Sequence, residues 1–255
     1  MYAEERQQTI AALVADRGRV SVTALAEEFG VTTETVRRDL AALERAGMLR
    51  RVHGGAVPAG ALTYVETALG ERHGTRSEQK RKIAAAALDL LPATAGSLLL
   101  DGGSTTAALA ELLPGDRRLL VATHSVPHAA RLAAVPGIDL HVLGGRVRGI
   151  TQCAVGERAV TALADLRVDV VVLGTNGVTA EHGFTTPDEA EASVKRAMIR
   201  AGQKVVVLAD SSKFGHEHLV RFATPADVDV LVTDAEAAPA DLARLEDAGI
   251  EVVVA

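Results

Sequence analysis

The chain contains no tryptophan, two tyrosines and four phenylalanines among 255 residues, so its interior must be built from alanine, valine, leucine and isoleucine, and nucleobases have few rings to stack on. Its single cysteine, Cys153, excludes an intrachain disulfide and a cysteine-based structural zinc cluster, and fits a reducing cytoplasm. No apolar run is long enough for a bilayer: the most apolar stretch, Ile83 to Leu100, is interrupted by Asp89 and Pro92. The N-terminus carries Glu4 and Glu5 rather than the basic start and apolar run of a secretory signal. A soluble cytoplasmic protein without a membrane partner is expected. Neither Gly-x-Gly-x-x-Gly after a strand nor Gly-x-x-x-x-Gly-Lys-Ser/Thr occurs, so dinucleotides and nucleoside triphosphates are not favoured, and there is no Gly-x-Ser-x-Gly elbow. The eight histidines show no ligand spacing, so no metal and no cofactor are expected.

What is present is an ordinary globular composition, 48% hydrophobic and 24% charged, on a chain long enough for two domains. The net charge of −6 lies entirely in residues 59–255, because residues 1–58 hold eight arginines against eight acids. Within that balanced part, Arg45 to Pro58 contains Arg45, Arg50, Arg51 and His53 and no acid. This basic edge is either a solvated helix end or a polyanion contact.

Three helical patterns fill the first fifty residues: Ala3 to Asp16, Thr23 to Phe29 and Thr33 to Ala46. Each stops at a glycine (Gly18, Gly30, Gly47), where a left-handed cap needs no Cβ. The short connection between the second and third helices has the length of a helix-turn-helix turn. In the third, Val36, Leu40 and Leu43 share a stripe; at about 100° per residue, Arg38 points away from it, with Thr35 and Arg37 on its flanks. The short β-type run Met48 to Val57, broken at Gly54-Gly55, reads as a hairpin or wing that sets Arg50, Arg51 and His53 beside the helix. Such a helix suits the major groove, and the cations of such a wing suit phosphates. Thr32, Thr33, Thr35, Arg37, Arg38, Arg50, Arg51 and His53 are the candidate contacts to double-stranded operator DNA. One such domain touches too few bases for genomic specificity, so a homo-oligomer, dimer or tetramer, is expected, joined through the acidic second domain.

Residues 59–75 read as a linker between a winged helix-turn-helix domain, 1–58, and a second domain, 76–255. In the latter, Arg76 to Leu91 is helical. Aliphatic strands then follow at Ser97–Asp101, Leu119–Thr123, Asp139–Leu143, Val168–Gly174, Lys204–Ala209, Val228–Thr233 and Ile250–Val254. Between them lie helices at Thr105–Leu113, Ser125–Val135, Val155–Asp165, Pro187–Ala201 and Glu236–Ala248. Strands without polar alternation are covered on both faces, so the fold class is α/β with a mainly parallel sheet.

Five strand ends run into polar clusters: Asp101-Gly-Gly-Ser-Thr-Thr106, Thr123-His-Ser125, Gly144-Gly-Arg146, Gly174-Thr-Asn-Gly177 and Asp210-Ser-Ser-Lys213. The carboxyl ends of parallel strands converge on one crevice, where ligands bind. The candidate ligand residues are Asp101, Gly102, Gly103, Ser104, Thr105, Thr106, His124, Ser125, Gly145, Asn176, Gly177, Lys195, Asp210 and Lys213. The Gly-Gly turn entering a helix at Ser104 either offers N–H groups to a phosphate or is an ordinary N-cap. Asp188, Glu189 and Glu191 either bind sugar hydroxyls or complement the positive end of their helix. His124 either titrates in the site or makes one structural hydrogen bond. A reading from a different class is a sugar-phosphate isomerase, with Asp101, Asp188, Glu189 or Glu191 as base and Lys213 on the phosphate.

Val31-Thr-Thr-Glu-Thr-Val-Arg-Arg-Asp-Leu40, Leu43-Glu-Arg-Ala-Gly47 and Arg51-Val-His-Gly-Gly-Ala56 resemble, almost residue for residue, the N-terminal signature of the DeoR family of bacterial transcriptional regulators. The second half is similar to that family in Asp101–Thr106, Gly144-Gly145, Gly174–Gly177, Glu191-Ala-Ser-Val-Lys195 and Asp210–Phe214. The resemblance implies repression of a sugar-utilisation operon. It also implies a sensor domain akin to ribose-phosphate isomerase folds, which binds a phosphorylated sugar without converting it and so releases the operator. Two positions depart from the family's pattern. Thr32 replaces the usual serine and keeps the capping hydroxyl; His124 replaces the usual asparagine with a larger, titratable ring.

Overall fold

A computed structural model of the protein describes residues 3–17, 20–52, 54–58 and 68–255, with the backbone alone at Arg50 and Val52. The chain forms two compact units, Met1–Thr63 and Tyr64–Ala255.

In the first unit, α1 (Ala3–Arg17) and β1 (Val20–Ser21) precede α2 (Val22–Phe29) and α3 (Thr33–Arg45), and the hairpin of β2 (Leu49–Val52) and β3 (Gly55–Pro58) closes the unit, with β1 on the other edge of β3. Local chemistry sets the helix ends. Ser21 caps α2 by accepting the Ala24 N–H at 3.0 Å, and Thr32 caps α3 by accepting the Thr35 N–H at 3.2 Å. Gly30 ends α2 in the left-handed conformation and Gly47 follows α3 in it, at φ 62° and 69°; the expected cap Gly18 lies outside the described residues. Ile10, Val14, Leu25, Val36, Leu40, Leu43 and Leu49 form the core. Beside it lies a buried ion pair without any local sequence signal: Arg6 Nε donates to Asp39 Oδ2 at 2.6 Å and Gln7 Nε2 donates to Oδ1 at 2.9 Å, fastening α1 to α3.

The second unit runs α4 (Leu69–Gly74), α5 (Ser77–Ala87), β4 (Ser97–Leu100), α6 (Ser104–Leu112), β5 (Leu119–Thr123), α7 (Val126–Leu132), β6 (Ile138–Val142), β7 (Arg146–Arg148), β8 (Cys153–Val155), α8 (Glu157–Ala164), β9 (Val168–Gly174), β10 (Gly177–Thr179), β11 (Gly183–Thr186), α9 (Glu189–Ala201), β12 (Gly202–Leu208), β13 (Val220–Ala223), β14 (Val230–Thr233), α10 (Pro239–Asp247) and β15 (Glu251–Val254). All seven expected strands occur, in one parallel sheet ordered β15-β14-β12-β9-β4-β5-β6. Their alternate residues are buried on opposite faces: Leu98, Leu100, Val170, Val172, Val206 and Leu208 against α5, α6 and α7, and Leu99, Val171, Leu173, Val205 and Val207 against α8 and α9. The chain runs outward from β4 through β5 to β6, then returns to β9 and proceeds the other way. The order therefore reverses between β4 and β9, which is where such sheets open a crevice.

Three features depart from the expected outline. Residues Leu69–Gly74, read as linker, form the short helix α4, whose Leu69 is buried and donates its N–H to Ile150 O at 2.9 Å. The antiparallel pair β7–β8 stands in the stretch before α8, and β10, β11 and β13 form a separate three-stranded antiparallel sheet. Among the described residues no helix is long and apolar enough to cross a membrane.

Candidate nucleic-acid interface and ligand site

On α3 the buried stripe of Val36, Leu40 and Leu43 leaves Arg37 and Arg38 exposed, with Thr33 exposed in the first turn and Thr35 half-buried. Arg38 pairs with no acid among the described residues, whereas Arg37 Nη1 lies 3.5 Å from Glu34 Oε2 in an exposed pair of little energy. Thr32 is committed locally: besides its cap, its Oγ1 lies 3.0 Å from Thr35 Oγ1. On the wing, Arg51 donates from both Nε and its backbone N–H to Glu44, each at 2.7 Å, so its charge is matched inside the unit. His53 and the Arg50 side chain lie outside the described residues.

The crevice between β4 and β9 is built around Asp101, which is 2% exposed. Its Oδ2 accepts from Lys195 Nζ and from the Gly174 N–H at 2.9 Å, and His124 Nε2 lies 3.0 Å from Oδ1. Burial pushes this carboxyl up, but the Lys195 ammonium and His124 outweigh burial and hold it well below the usual carboxylate range. Lys195 Nζ also donates to Gly174 O at 2.9 Å and lies 5.2 Å from the Phe222 ring centroid. His124 Nδ1 is 2.8 Å from Ala154 O, a group that only accepts, so Nδ1 carries a proton.

From Asp101 the chain turns through Gly102 and Gly103 into α6. A Cβ on Gly102 would lie 2.0 Å from Cys153 Sγ, so the turn packs directly on β8; burial pushes the Cys153 thiol up to about 12, leaving it a packing group. Gly103, at φ 145°, is the N-cap of α6, and no side chain caps that helix. The ordinary-cap reading of Ser104 and Thr105 therefore does not hold. The first-turn N–H groups, which lack helical acceptors, lie at a cavity lined by Gly102, Gly103, Ser104, Thr105, His124, Thr151, Cys153, Thr175, Asn176, Glu191, Lys195, Lys213 and Arg72. Lys213 pairs with no acid among the described residues.

Two of the three acids at the start of α9 have structural partners. Asp188 caps the helix by accepting the Glu191 N–H at 2.9 Å and lies 3.2 Å from Arg148 Nε; Glu191 accepts from Arg148 Nη1 at 2.7 Å and from Thr151 Oγ1. Glu189 is exposed and does not line the cavity. Among the described residues no group of three or more His, Cys, Asp or Glu is placed to hold a metal.

Residues 6–59 match the DeoR-like helix-turn-helix domain and residues 75–235 the DeoR C terminal sensor domain. The HTH-type transcriptional regulator GlpR of Haloferax volcanii is 35% identical over 253 residues, covering 99% of this chain and 98% of that protein. The chain belongs to the DeoR family of transcriptional regulators. The glycerol-3-phosphate regulon repressor of Escherichia coli, another relative, is 30% identical over 236 residues, 92% of each chain. Among solved structures, ribose 5-phosphate isomerase A from Neisseria gonorrhoeae superposes with a TM-score of 0.41 at 20% identity, over 56% of this chain and 55% of that one.

Of the ligand residues expected for this DeoR-family regulator, Asp101, Gly102, Gly103, Ser104, Thr105, His124, Asn176, Lys195 and Lys213 meet at the cavity. Thr106, Ser125, Gly145, Gly177 and Asp210 do not line it. Thr106 Oγ1 donates to Gly103 O at 3.1 Å, and Ser125 caps α7. Asp210 accepts from the Ser212 N–H at 3.1 Å and lies 3.4 Å from Arg76 Nε. A Cβ on Gly145 or Gly177 would meet a carbonyl oxygen at 3.0 or 2.2 Å, so both serve chain packing. Lys195, expected as a ligand cation, is matched by Asp101. Sequence reasoning missed Arg72, Thr151 and the role of Arg148: the first fell in the assumed linker, and the other two belong to the unforeseen β7–β8 hairpin.

Proposed function

We propose that this DeoR-family regulator represses a carbohydrate-utilisation operon and is released from its operator by a phosphorylated sugar bound in the β4–β9 crevice. The observation that carries the reading is the α6 entry turn, uncapped by any side chain and lining a cavity with Lys213, which pairs with no acid among the described residues, at the point where the strand order reverses. Its N–H groups and Lys213 take the phosphate, and the Asn176 side chain and the hydroxyls of Ser104 and Thr105 take the sugar. The named regulons of relatives agree with a carbohydrate or polyol-phosphate signal. Residues 1–58 form the DNA-reading domain and the sensor extends from α4 onward. The protein acts as a homo-oligomer on paired half-sites.

The sensor binds without converting its ligand. Each acid proposed as an isomerase base is occupied or misplaced: Asp101 by Lys195 and His124, Asp188 and Glu191 by Arg148, and Glu189 by its position outside the cavity. A carboxylate held below its usual range by a buried ammonium is a poor proton acceptor.

On the DNA side, Arg38 supplies base contacts and Arg50 with His53 phosphate contacts, while Arg37 and Thr33 flank them. Arg38→Ala is expected to weaken operator binding by about 1–3 kcal/mol and to relax specificity at one base position. Arg50→Ala instead weakens binding to all sequences and lowers the salt slope by about one. Fluorescence anisotropy on operator and scrambled duplexes checks this; equal losses on both duplexes for Arg38→Ala would remove it from base readout.

A further inference from the structure

The seven-stranded sheet ends at β6, Ile138-Asp-Leu-His-Val142, and among the described residues no strand pairs with its outer side. The bonds at its two ends set its backbone phase: Gly137 O accepts the Leu119 N–H at 3.2 Å, and the Leu143 N–H donates to Thr123 O at 2.9 Å. In a parallel ladder every second residue turns both groups to the neighbouring strand, so Asp139 and His141 bond to β5 while Leu140 and Val142 turn N–H and C=O outward. Such an edge pairs with other chains unless lysine, proline, a bulge or a covering element blunts it. β6 has no lysine or proline, and its register with β5 is unbroken from Ile138 to Val142. Its side chains are open to solvent: Val142 is 59% exposed, Asp139 and His141 are exposed, and Ile138 and Leu140 are half-buried.

The strand is complementary to itself. Homodimers close about a twofold axis, and an axis normal to the sheet beside β6 sets two copies of the strand antiparallel. Centred on Leu140, it makes Leu140 and the partner's Leu140 a hydrogen-bonded pair, each donating its N–H to the other's carbonyl. Asp139 then faces the partner's His141 at a non-hydrogen-bonded position, where opposite side chains come closest, and Ile138 faces the partner's Val142. Each carboxylate meets an imidazole that donates to it, and each apolar residue meets an apolar one. Within one chain the two polar side chains already share a face of the strand, His141 Nε2 lying 3.8 Å from Asp139 Oδ1. The opposite edge, β15, offers no such match, since its one charged residue, Glu251, has no cation in the strand to meet.

We propose that two copies of this chain associate through β6, paired antiparallel about Leu140, so that their sheets join into one. This pairing rests on the homo-oligomeric reading above and assigns it a surface and a register. No β6 residue lines the crevice cavity, so the ligand site of each protomer is left as it is.

Cross-linking and sedimentation equilibrium on the full-length protein test this. Leu140→Cys, on the twofold axis, is expected to give a disulfide-linked dimer under mild oxidation, because hydrogen-bonded antiparallel pairs hold their Cα atoms about 5.5 Å apart, within disulfide reach. Val254→Cys, exposed on β15, should stay unlinked, and the buried native Cys153 should give no background in wild type. His141→Asp sets an acid against each Asp139 and is expected to raise the Kd of self-association about tenfold. Adding Asp139→His to it exchanges the two side chains, restores the match and should recover most of the affinity; both positions are exposed, so the fold tolerates either change. No cross-link at Leu140→Cys, unchanged association of His141→Asp, or no recovery in the exchanged variant overturns the β6 pairing and leaves the homo-oligomeric reading standing. A cross-link through Val254→Cys alone moves the contact to β15 and overturns it likewise. A wild type that sediments as a monomer at micromolar concentration overturns the homo-oligomeric reading, and this pairing with it.

Discussion

Replacing Asp39 with alanine is expected to unfold the DNA-reading unit near physiological temperature while the sensor keeps its fold. Asp39 is 4% exposed and Arg6 8%, and the substitution leaves the Arg6 guanidinium buried opposite a methyl group and the Gln7 amide without its acceptor. Removing one member of a buried pair costs about 3–5 kcal/mol. A unit of this length has a total stability of only about 3–9 kcal/mol at roughly 0.05–0.15 per residue. The melting temperature of the first unit should fall by about 12–24 °C, taking the smaller loss at roughly 4–8 °C per kcal/mol. Operator binding should fail in parallel, with sugar-phosphate binding retained. Arg6→Met combined with Asp39→Leu should recover much of the loss, because two apolar groups leave no charge stranded. Differential scanning calorimetry decides it; a shift of less than about 3 °C for the single variant would mean that the pair contributes nothing.

The second large effect belongs to the sensor. Lys195→Met leaves the buried Asp101 carboxylate without its ammonium partner, with His124 Nε2 and the Gly174 N–H still facing it, so the expected loss is on the order of 3 kcal/mol, at the low end for a broken buried pair. The pH dependence carries the signature. In the wild type the Asp101 carboxyl is depressed below its ordinary 3.8, so its contribution is fully present above that value and is lost only as pH falls through the lower folded value. Without Lys195, burial is opposed by less and moves the carboxyl upward. A carboxyl raised above 3.8 in the folded state makes stability fall as pH rises through the window between the two values. The gap between wild type and variant should therefore be widest near neutrality and narrower at about pH 5 in urea titrations. A gap of constant size would show that the lysine acts by packing on Phe222 alone.

Much of this architecture was legible in the sequence because it rests on local pattern. Runs such as Leu98-Leu-Leu100 and Val205-Val-Val-Leu208 bury both faces, and the sheet contains all seven of these runs within two residues of the expected ends. The stripe of Val36, Leu40 and Leu43 oriented α3 correctly because a helix long enough to show its period reveals its faces. What escaped was short or non-local. A six-residue helix such as α4 is under two turns and shows no period, so Arg72 was lost in a supposed linker. Strands of three or four residues, such as β7, β10 and β13, leave no alternation to read. The pairs Arg6–Asp39 and Arg148–Glu191 join residues far apart in the chain, and nothing near Lys195 indicates that Asp101 will neutralise it. The crevice was visible as a set of strand ends; the partners that use up its charges were not.

The most direct test of the account is operator affinity measured with and without phosphorylated sugars, together with sugar affinity measured with and without operator. One phosphorylated sugar in a triose-to-hexose panel should weaken operator binding about 5- to 150-fold, and operator should weaken that sugar's binding by the same factor. Its unphosphorylated parent should do neither, and the sugar phosphate should be recovered unchanged. A phosphorylated sugar that occupies the crevice and leaves operator affinity as it was, or that is steadily converted there, would contradict the account.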